Sequence, residues 1–271
     1  MTIKKLGMWV LAAAAACGAQ QASAALWSDT SIGYRYGTKF AEPFNPLDIH
    51  KSIVNLTHVS GYKYGTNFFN ADLLMSDGKD ADAQEVYVVY RHTLDLGKVM
   101  GKEMTFGPVK AVGLTAGFDF NSKNDPGYAS KKRMLVLGPT LTLDAPGLLN
   151  VGVYLLHESN KPIGVASRYT YDVHPMFNVV WGIPVGGTGF SFEGFLNYIA
   201  SKGTNEFGGP TSPETNIDMA LMYDLGTPMG IGKNALRVGV GYQYWRNKFG
   251  NPHSIPGTLA KTPMLRVDYH F

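Results

Sequence analysis

The stretch from 264 to 271 admits one backbone geometry. Leu265, Val267, Tyr269 and Phe271 alternate there with Arg266, Asp268 and His270. Successive side chains of an extended strand point to opposite faces, so this run is a β-strand with one apolar and one ionisable side. A helix would scatter both sets around its circumference. A soluble edge strand with three ionisable groups on one face would be expected to trail into a polar tail, whereas this run stops on an aromatic residue.

The same period recurs along the chain and predicts twelve strands, at 27–36, 51–63, 66–75, 84–94, 106–120, 133–143, 148–157, 167–182, 189–200, 216–225, 236–246 and 264–271. Several have one clean apolar face. Val112, Leu114, Ala116, Phe118 and Phe120 line one side of the fifth, and Val238, Val240, Tyr242 and Tyr244 one side of the eleventh. The opposite faces carry Gly113, Thr115, Gly117 and Asp119, or Arg237, Gly239, Gly241 and Gln243. The seventh strand is less regular, and Pro139 weakens the sixth because proline cannot donate to a ladder.

The N-terminus adds a compartment. Lys4 and Lys5 precede an apolar run from Leu6 to Ala16, and Ala22, Ser23 and Ala24 offer small residues for cleavage. This is the pattern of a secretory signal peptide over 1–24, cleaved after Ala24, because the run is shorter than the ~20 residues of a membrane helix. Lipidation at Cys17, the one cysteine, is the alternative, with Ala14 poorly suited three positions before it. Only two lysines leave with the segment, so the net charge falls from +3 to +1. That balance argues against a nucleic-acid partner.

An exported chain with no later apolar helix, yet with 15 Tyr, 14 Phe and 32 Gly, fits one class best. A transmembrane strand needs only ~9–11 residues with every second one apolar. The expected fold is all-β, a transmembrane antiparallel up-and-down barrel of about twelve strands formed by 25–271 as a single domain. The connectors agree. Counting from a periplasmic N-terminus, most even-numbered gaps are short, such as Tyr64-Gly65 and 144–147. The odd-numbered gaps, among them 121–132, 201–215 and 247–263, are longer and rich in Asp, Asn, Lys, Gly and Pro.

Two resemblances follow. The aromatic ending at Phe271 resembles the C-terminal signal by which bacterial outer-membrane barrels are recognised, which implies the insertion machinery and outer-membrane lipid as partners. The segment Ser60-Gly-Tyr-Lys-Tyr-Gly-Thr-Asn-Phe-Phe-Asn-Ala-Asp72 resembles a stretch of the Tsx-like family of nucleoside-specific outer-membrane channels. The likeness is specific over about 15 residues. It implies a channel for small polar solutes, nucleosides among them. Thr66 stands where that family has an acidic residue, and Asn70 where it has a third Phe, which leaves the preferred solute open.

The pore-lining and solute-binding candidates are Phe68, Asn70, Asp72, Glu85, Tyr87, Arg91, Asp119, Glu193, Phe195, Asn197, Asp218, Arg237, Trp245, Arg266 and Asp268. Thr66, Arg133, Tyr154, Arg168, Asp172, His174 and Gln243 join them by the same alternation. Aromatic faces would stack on a base and fixed polar groups would hold a sugar. Each also has a purely structural reading, as a lumenal ion-pair member or a girdle aromatic. Tyr169, Tyr171, Trp181, Tyr242 and Tyr244 read as lipid-interface belt.

An enzyme is the main rival. His157-Glu-Ser159-Asn160 is similar to the His-x-Ser-Asn arrangement of outer-membrane lipid hydrolases, and His157 and Ser159 share a strand face that points to lipid. Lys161-Pro162 departs from that pattern, and no second catalytic segment is evident. A non-transporting structural or receptor barrel is the third reading. No glycine-rich nucleotide motif, zinc spacing or calcium loop is present, so no cofactor or metal is expected; His58, His92 and His174 lie on separate strands.

Overall fold

A computed structural model describes residues 25–271; the signal-peptide reading, with Ala24 and Cys17, lies outside the described residues. The strands are β1 Trp27–Glu42, β2 Asn45–Tyr62, β3 Gly65–Ser76, β4 Gln84–Asp95, β5 Val109–Lys123, β6 Arg133–Leu143, β7 Leu148–Asn160, β8 Tyr169–Thr170, β9 His174–Pro184, β10 Phe190–Ile199, β11 Glu214–Asp224, β12 Leu236–Arg246 and β13 Leu259–His270. Each long strand pairs antiparallel with its neighbours in sequence, and β1 pairs with β13. The two-residue β8 is a rung on the end of β7, which itself pairs directly with β9. The wall is therefore a closed barrel of twelve strands, and closure leaves no unpaired edge for the bilayer to solvate.

The seam is in register, with Ile32 opposite Tyr269, Tyr34 opposite Val267 and Arg35 opposite Arg266. Register in a half-buried sheet is set by the apolar pattern, because a slip of one residue would turn every side chain over. Ile32, Tyr34, Tyr36, Leu265, Val267 and Tyr269 are all exposed on the outside. The same outer face continues round the wall in Phe118, Leu135, Leu155, Phe192, Leu221 and Val240. Inside, Ile49, Leu156 and Met222 have no exposure at all. This inversion of a soluble protein's pattern belongs to a membrane-spanning barrel.

Several expectations are corrected. β1 and β2 run on past 36 and before 51 to meet at a two-residue turn, where Phe44 takes a left-handed φ of 69°. The expected strand 167–182 begins only at His174, and Arg168 and Asp172 lie in the connector before it. Arg133 faces outward rather than into the lumen, since it pairs with Phe120 and Ser159 of the outer face. Tyr169, in the short rung β8, and Tyr171, in the connector after it, form no belt: the Tyr169 hydroxyl donates to the Thr204 carbonyl at 3.1 Å and the Tyr171 hydroxyl to Glu206 at 2.6 Å. Pro139 is accommodated inside β6, but the β6–β7 ladder passes from Leu137↔Leu155 to Thr140↔Gly152 with no rung between. A residue without an N–H is expected to interrupt the ladder there. β7, the least regular strand in sequence, is continuous.

Candidate functional site

The candidate site is the lumen. All fifteen pore-lining candidates fall on the inward register, because each alternates with the outward apolar set. Asp72 lies opposite Tyr87, Phe68 opposite Arg91, Phe195 opposite Asp218 and Arg237 opposite Asp268. Tyr154, His174 and Gln243 share that side.

Around the middle of the wall the charges form cross-strand pairs. Arg35 reaches over β2 to Asp72 at 2.5 Å and leans toward Asp218 at 4.0 Å. Asp218 also accepts from Arg266. Arg91 meets Asp119 at 2.6 Å, and the Tyr87 hydroxyl donates to the same carboxylate at 2.9 Å. Arg237 meets Glu193 at 2.8 Å and donates to Ser191 at 2.5 Å. Asn70 donates to Asp72 at 2.9 Å and accepts from Thr57 at 2.8 Å. A guanidinium is a planar fork that remains charged, so these pairs form a fixed and electrically mixed lining.

Small residues make that lining possible. A Cβ at Gly241 would collide with the Arg266 guanidinium, one at Gly117 with Arg91 and Tyr90, and one at Gly33 with Asp268 and Asn55. The inward glycines of the alternating pattern are thus the slots in which long charged side chains lie against the wall.

Two further networks fill the barrel where the long connectors sit. Glu42 accepts from Lys51 at 2.5 Å and from Lys248 at 3.1 Å, with Lys123 at 3.7 Å. Lys123 also meets Asp80 at 3.0 Å. On the other side of the lumen Glu158 accepts from Lys202 at 2.7 Å, with Lys132 at 3.8 Å. Lys202 and Lys248 belong to connectors, so two loops each lower one lysine into the barrel. Burial pushes the Lys248 ammonium below its ordinary pKa, while Glu42 pulls the other way and Lys51 adds to the depression. Burial would do the same to Lys132, but Glu158, Tyr87 and Asp119 outweigh it and raise its pKa.

Packing holds these loops in place. Asn247 and Phe249 flank Lys248 with left-handed φ of 53° and 59°, a conformation that costs an L-residue roughly 1–2 kcal/mol. Phe249 packs edge-on against Trp245 at 4.9 Å between ring centroids, and the Trp245 indole donates to Glu214 at 2.6 Å. On the other loop the Tyr128 and Tyr171 hydroxyls both donate to Glu206. Burial, then the nearby carboxylate, push both phenols above their ordinary pKa.

The sequence-derived candidates therefore separate. Asn70 and Asp72 join Arg35, Tyr87 and Arg91 join Asp119, Glu193 joins Arg237, and Asp218 joins Arg266. Glu85 belongs to the buried loop-end cluster through Asn121, Asn197 pairs with Asn178 at 2.6 Å, and Trp245 sits under the last long loop. Sequence reasoning missed Arg35, Glu42, Lys51, Lys123, Lys202 and Lys248. Arg35 had a signal, alternating between Gly33 and Gly37 opposite Ile32, Tyr34 and Tyr36. Lys202 and Lys248 had none, since a lysine in a polar connector reads as solvated.

His157 and Ser159 share the outward face. No hydrogen bond joins their side chains among the described residues; the Ser159 hydroxyl instead accepts from Arg168 at 3.5 Å. No group of His, Cys, Asp and Glu disposed to hold a metal ion occurs among the described residues.

No protein-family model matches the chain, and no curated protein matches it. Among solved structures the chain is similar to the NanC porin, at 10% identity over 90% of this chain and 99% of that one, with a TM-score of 0.48. It is similar to the KdgM porin at 12% identity over 89% and 99%, TM-score 0.46. The translocator domain of the autotransporter NalP from Neisseria meningitidis has 12% identity over 95% and 92%, TM-score 0.45.

Proposed function

We propose that this chain is an outer-membrane channel through which small polar solutes diffuse. The observation that carries the reading is a ring of inward ion pairs that stays in contact with water. The side chains of Arg35, Asp72, Arg91, Arg237 and Glu193 keep 14 to 27% of their surface exposed although each lies inside a closed wall, while Asp119 and Asp218 are buried beneath their arginines at 7 and 6%. Wet fixed charges of both signs inside an apolar cylinder suit a narrow hydrophilic passage.

Nucleosides are the proposed solute. Phe68, Tyr87, Phe195 and Trp245 offer inward aromatic faces, and stacking supplies roughly 1–3 kcal/mol per base. Asn70, Asp72 and Asn197 offer donors and acceptors for a ribose and for base edges. Several weak sites in series favour passage over trapping. Thr66 and Asn70 replace an acidic and an aromatic residue in the segment that resembles nucleoside channels, and they are the positions from which a shifted preference would arise. Outer-membrane lipid and the insertion machinery that reads Phe271 are the proposed partners, after export by the N-terminal segment.

Purified protein in a planar bilayer tests this reading. Discrete conductance steps, reduced reversibly by adenosine or thymidine, are expected. Steps unaffected by any nucleoside would leave a general channel, and a bilayer that never conducts would overturn the channel.

A further inference from the structure

On the outer wall, beside the long connectors, lies a shallow groove of about 540 Å³. Its lower part is apolar, formed by Val88, Phe118, Phe120 and Leu135, and its upper edge carries Arg133, His157 and Ser159; Asp119 also borders it, but its carboxylate is turned to the lumen and paired with Arg91. The register fixes these neighbours. Phe120, Arg133 and Ser159 form one row across three strands, and Phe118, Leu135 and His157 the next. Arg168 hangs over the first row, donating to the Lys131 carbonyl at 2.7 Å and to Ser159 at 3.5 Å. Lys131 and Lys161, both exposed, close the edge.

This edge is electrically unbalanced. The neighbouring Lys132 and Lys202 face the lumen and share Glu158. Lys131, Arg133, His157, Lys161 and Arg168 form no ion pair with any carboxylate among the described residues. The Arg168 guanidinium is held below its ordinary pKa by partial burial and by the repulsion of Arg133. Two guanidiniums brought together without an acid, above greasy side chains that face lipid, lower their energy by sharing an anion. An arginine on a lipid-facing strand is costly near the midplane and tolerable at the interface, which places Arg133 at headgroup level.

We propose that this groove binds a phosphorylated, multiply acylated glycolipid of the outer leaflet, such as lipid A. Its phosphate lies between Arg133 and Arg168, and its acyl chains lie over Phe118, Phe120 and Leu135. The proposal rests on the orientation used for the channel, with the long connectors outside the cell, but not on conduction. It also accounts for the outward His157–Ser159 pair, whose hydroxyl serves as a further donor at the headgroup.

The test is binding of lipid A to the full chain in detergent, followed by native mass spectrometry and by quenching of a labelled lipid. Lipid A is expected to bind, and the double variant Arg133→Gln/Arg168→Gln to bind at least about tenfold more weakly, in line with the loss of charge-assisted hydrogen bonds. Dephosphorylated lipid A should match that loss on the unaltered protein, and equimolar inorganic phosphate should not compete. Equal binding by the double variant, or by the dephosphorylated lipid, would overturn the site. Competition by inorganic phosphate would reassign it to free phosphate. Arg133 faces outward by its register and Arg168 sits in a connector bonded to the outward Ser159, so the folded double variant keeps the unaltered channel's conductance. A protein that binds lipid A without conducting loses only the channel reading, and one that conducts without binding loses only this one.

Discussion

The Lys248 ammonium donates to a carboxylate oxygen of Glu42 at 3.1 Å, tying residues 206 positions apart. It also donates to the Ala41 carbonyl at 2.7 Å, so the last long loop is fastened onto the rim of the first strand. Breaking a buried pair costs roughly 3–5 kcal/mol when the remaining charge is left alone. Glu42 keeps Lys51 and Lys123, so Lys248→Met should cost less, on the order of 1–3 kcal/mol. The loop, released from the mouth, should also raise single-channel conductance. Lys51→Met should be the more destabilising of the two, because Lys51 makes the shorter contact with Glu42 and also faces Asp80. Urea unfolding in detergent and bilayer recording check both.

The inward glycines separate two kinds of strain. A methyl at Gly241 would meet the guanidinium of Arg266, a side chain that can move, whereas one at Gly117 would meet the Tyr90 carbonyl. Gly241→Ala should therefore leave stability within about 1 kcal/mol and change conductance by displacing Arg266 from Asp218. Gly117→Ala should lower stability by roughly 1–3 kcal/mol. Equal effects in thermal melts would count against the wall-slot arrangement.

Arg35 stands between two carboxylates, Asp72 and Asp218. Arg35→Ala leaves both inside the lumen with one fewer positive charge. Cation selectivity should rise, read as a shift of the reversal potential in a salt gradient toward the cation equilibrium potential. A shift toward anions would refute this arrangement of charges.

Tyr128 and Tyr171 share Glu206, and their phenols are pushed upward chiefly by burial and then by that carboxylate. In the unfolded chain both ionise near pH 10. The folded chain holds its protons longer, so the loop's stability is fully present below pH 10 and declines as pH rises above it. Ultraviolet titration should find Tyr128 and Tyr171 among the last of the 15 tyrosines in the chain to ionise. Tyr128→Phe and Tyr171→Phe should each remove one of them.

Much of the architecture was legible before any coordinates. The alternation in β5, β12 and β13 sorted inward from outward residues, because one residue in two must meet lipid and the next must not. That single rule placed Phe68, Asp119, Glu193 and Arg266 on the lumenal side. It misled where charge was read ahead of phase or where the period breaks. Arg133, at the first position of β6, shares the phase of the outward Leu135 and Leu137, so the alternation itself points it to lipid and only its charge suggested the lumen. Arg168 and Tyr171 looked like strand residues because a short alternating run precedes β9, but the backbone there bends into a loop held by Glu206.

The sequence by itself determined a closed barrel with a polar inside, since only strands joined edge to edge can hide every amide of such a chain from lipid. It also marked the terminal strand, from Leu265 to Phe271, as one that must present one face to each medium. Tertiary structure alone decided which charges meet. Arg35 finds Asp72 across an intervening strand, Lys123 finds Glu42 across the lumen, and Lys202 and Lys248 turn inward from loops. Those pairings depend on barrel circumference, strand stagger and loop course, which are properties of the closed wall and of no single segment.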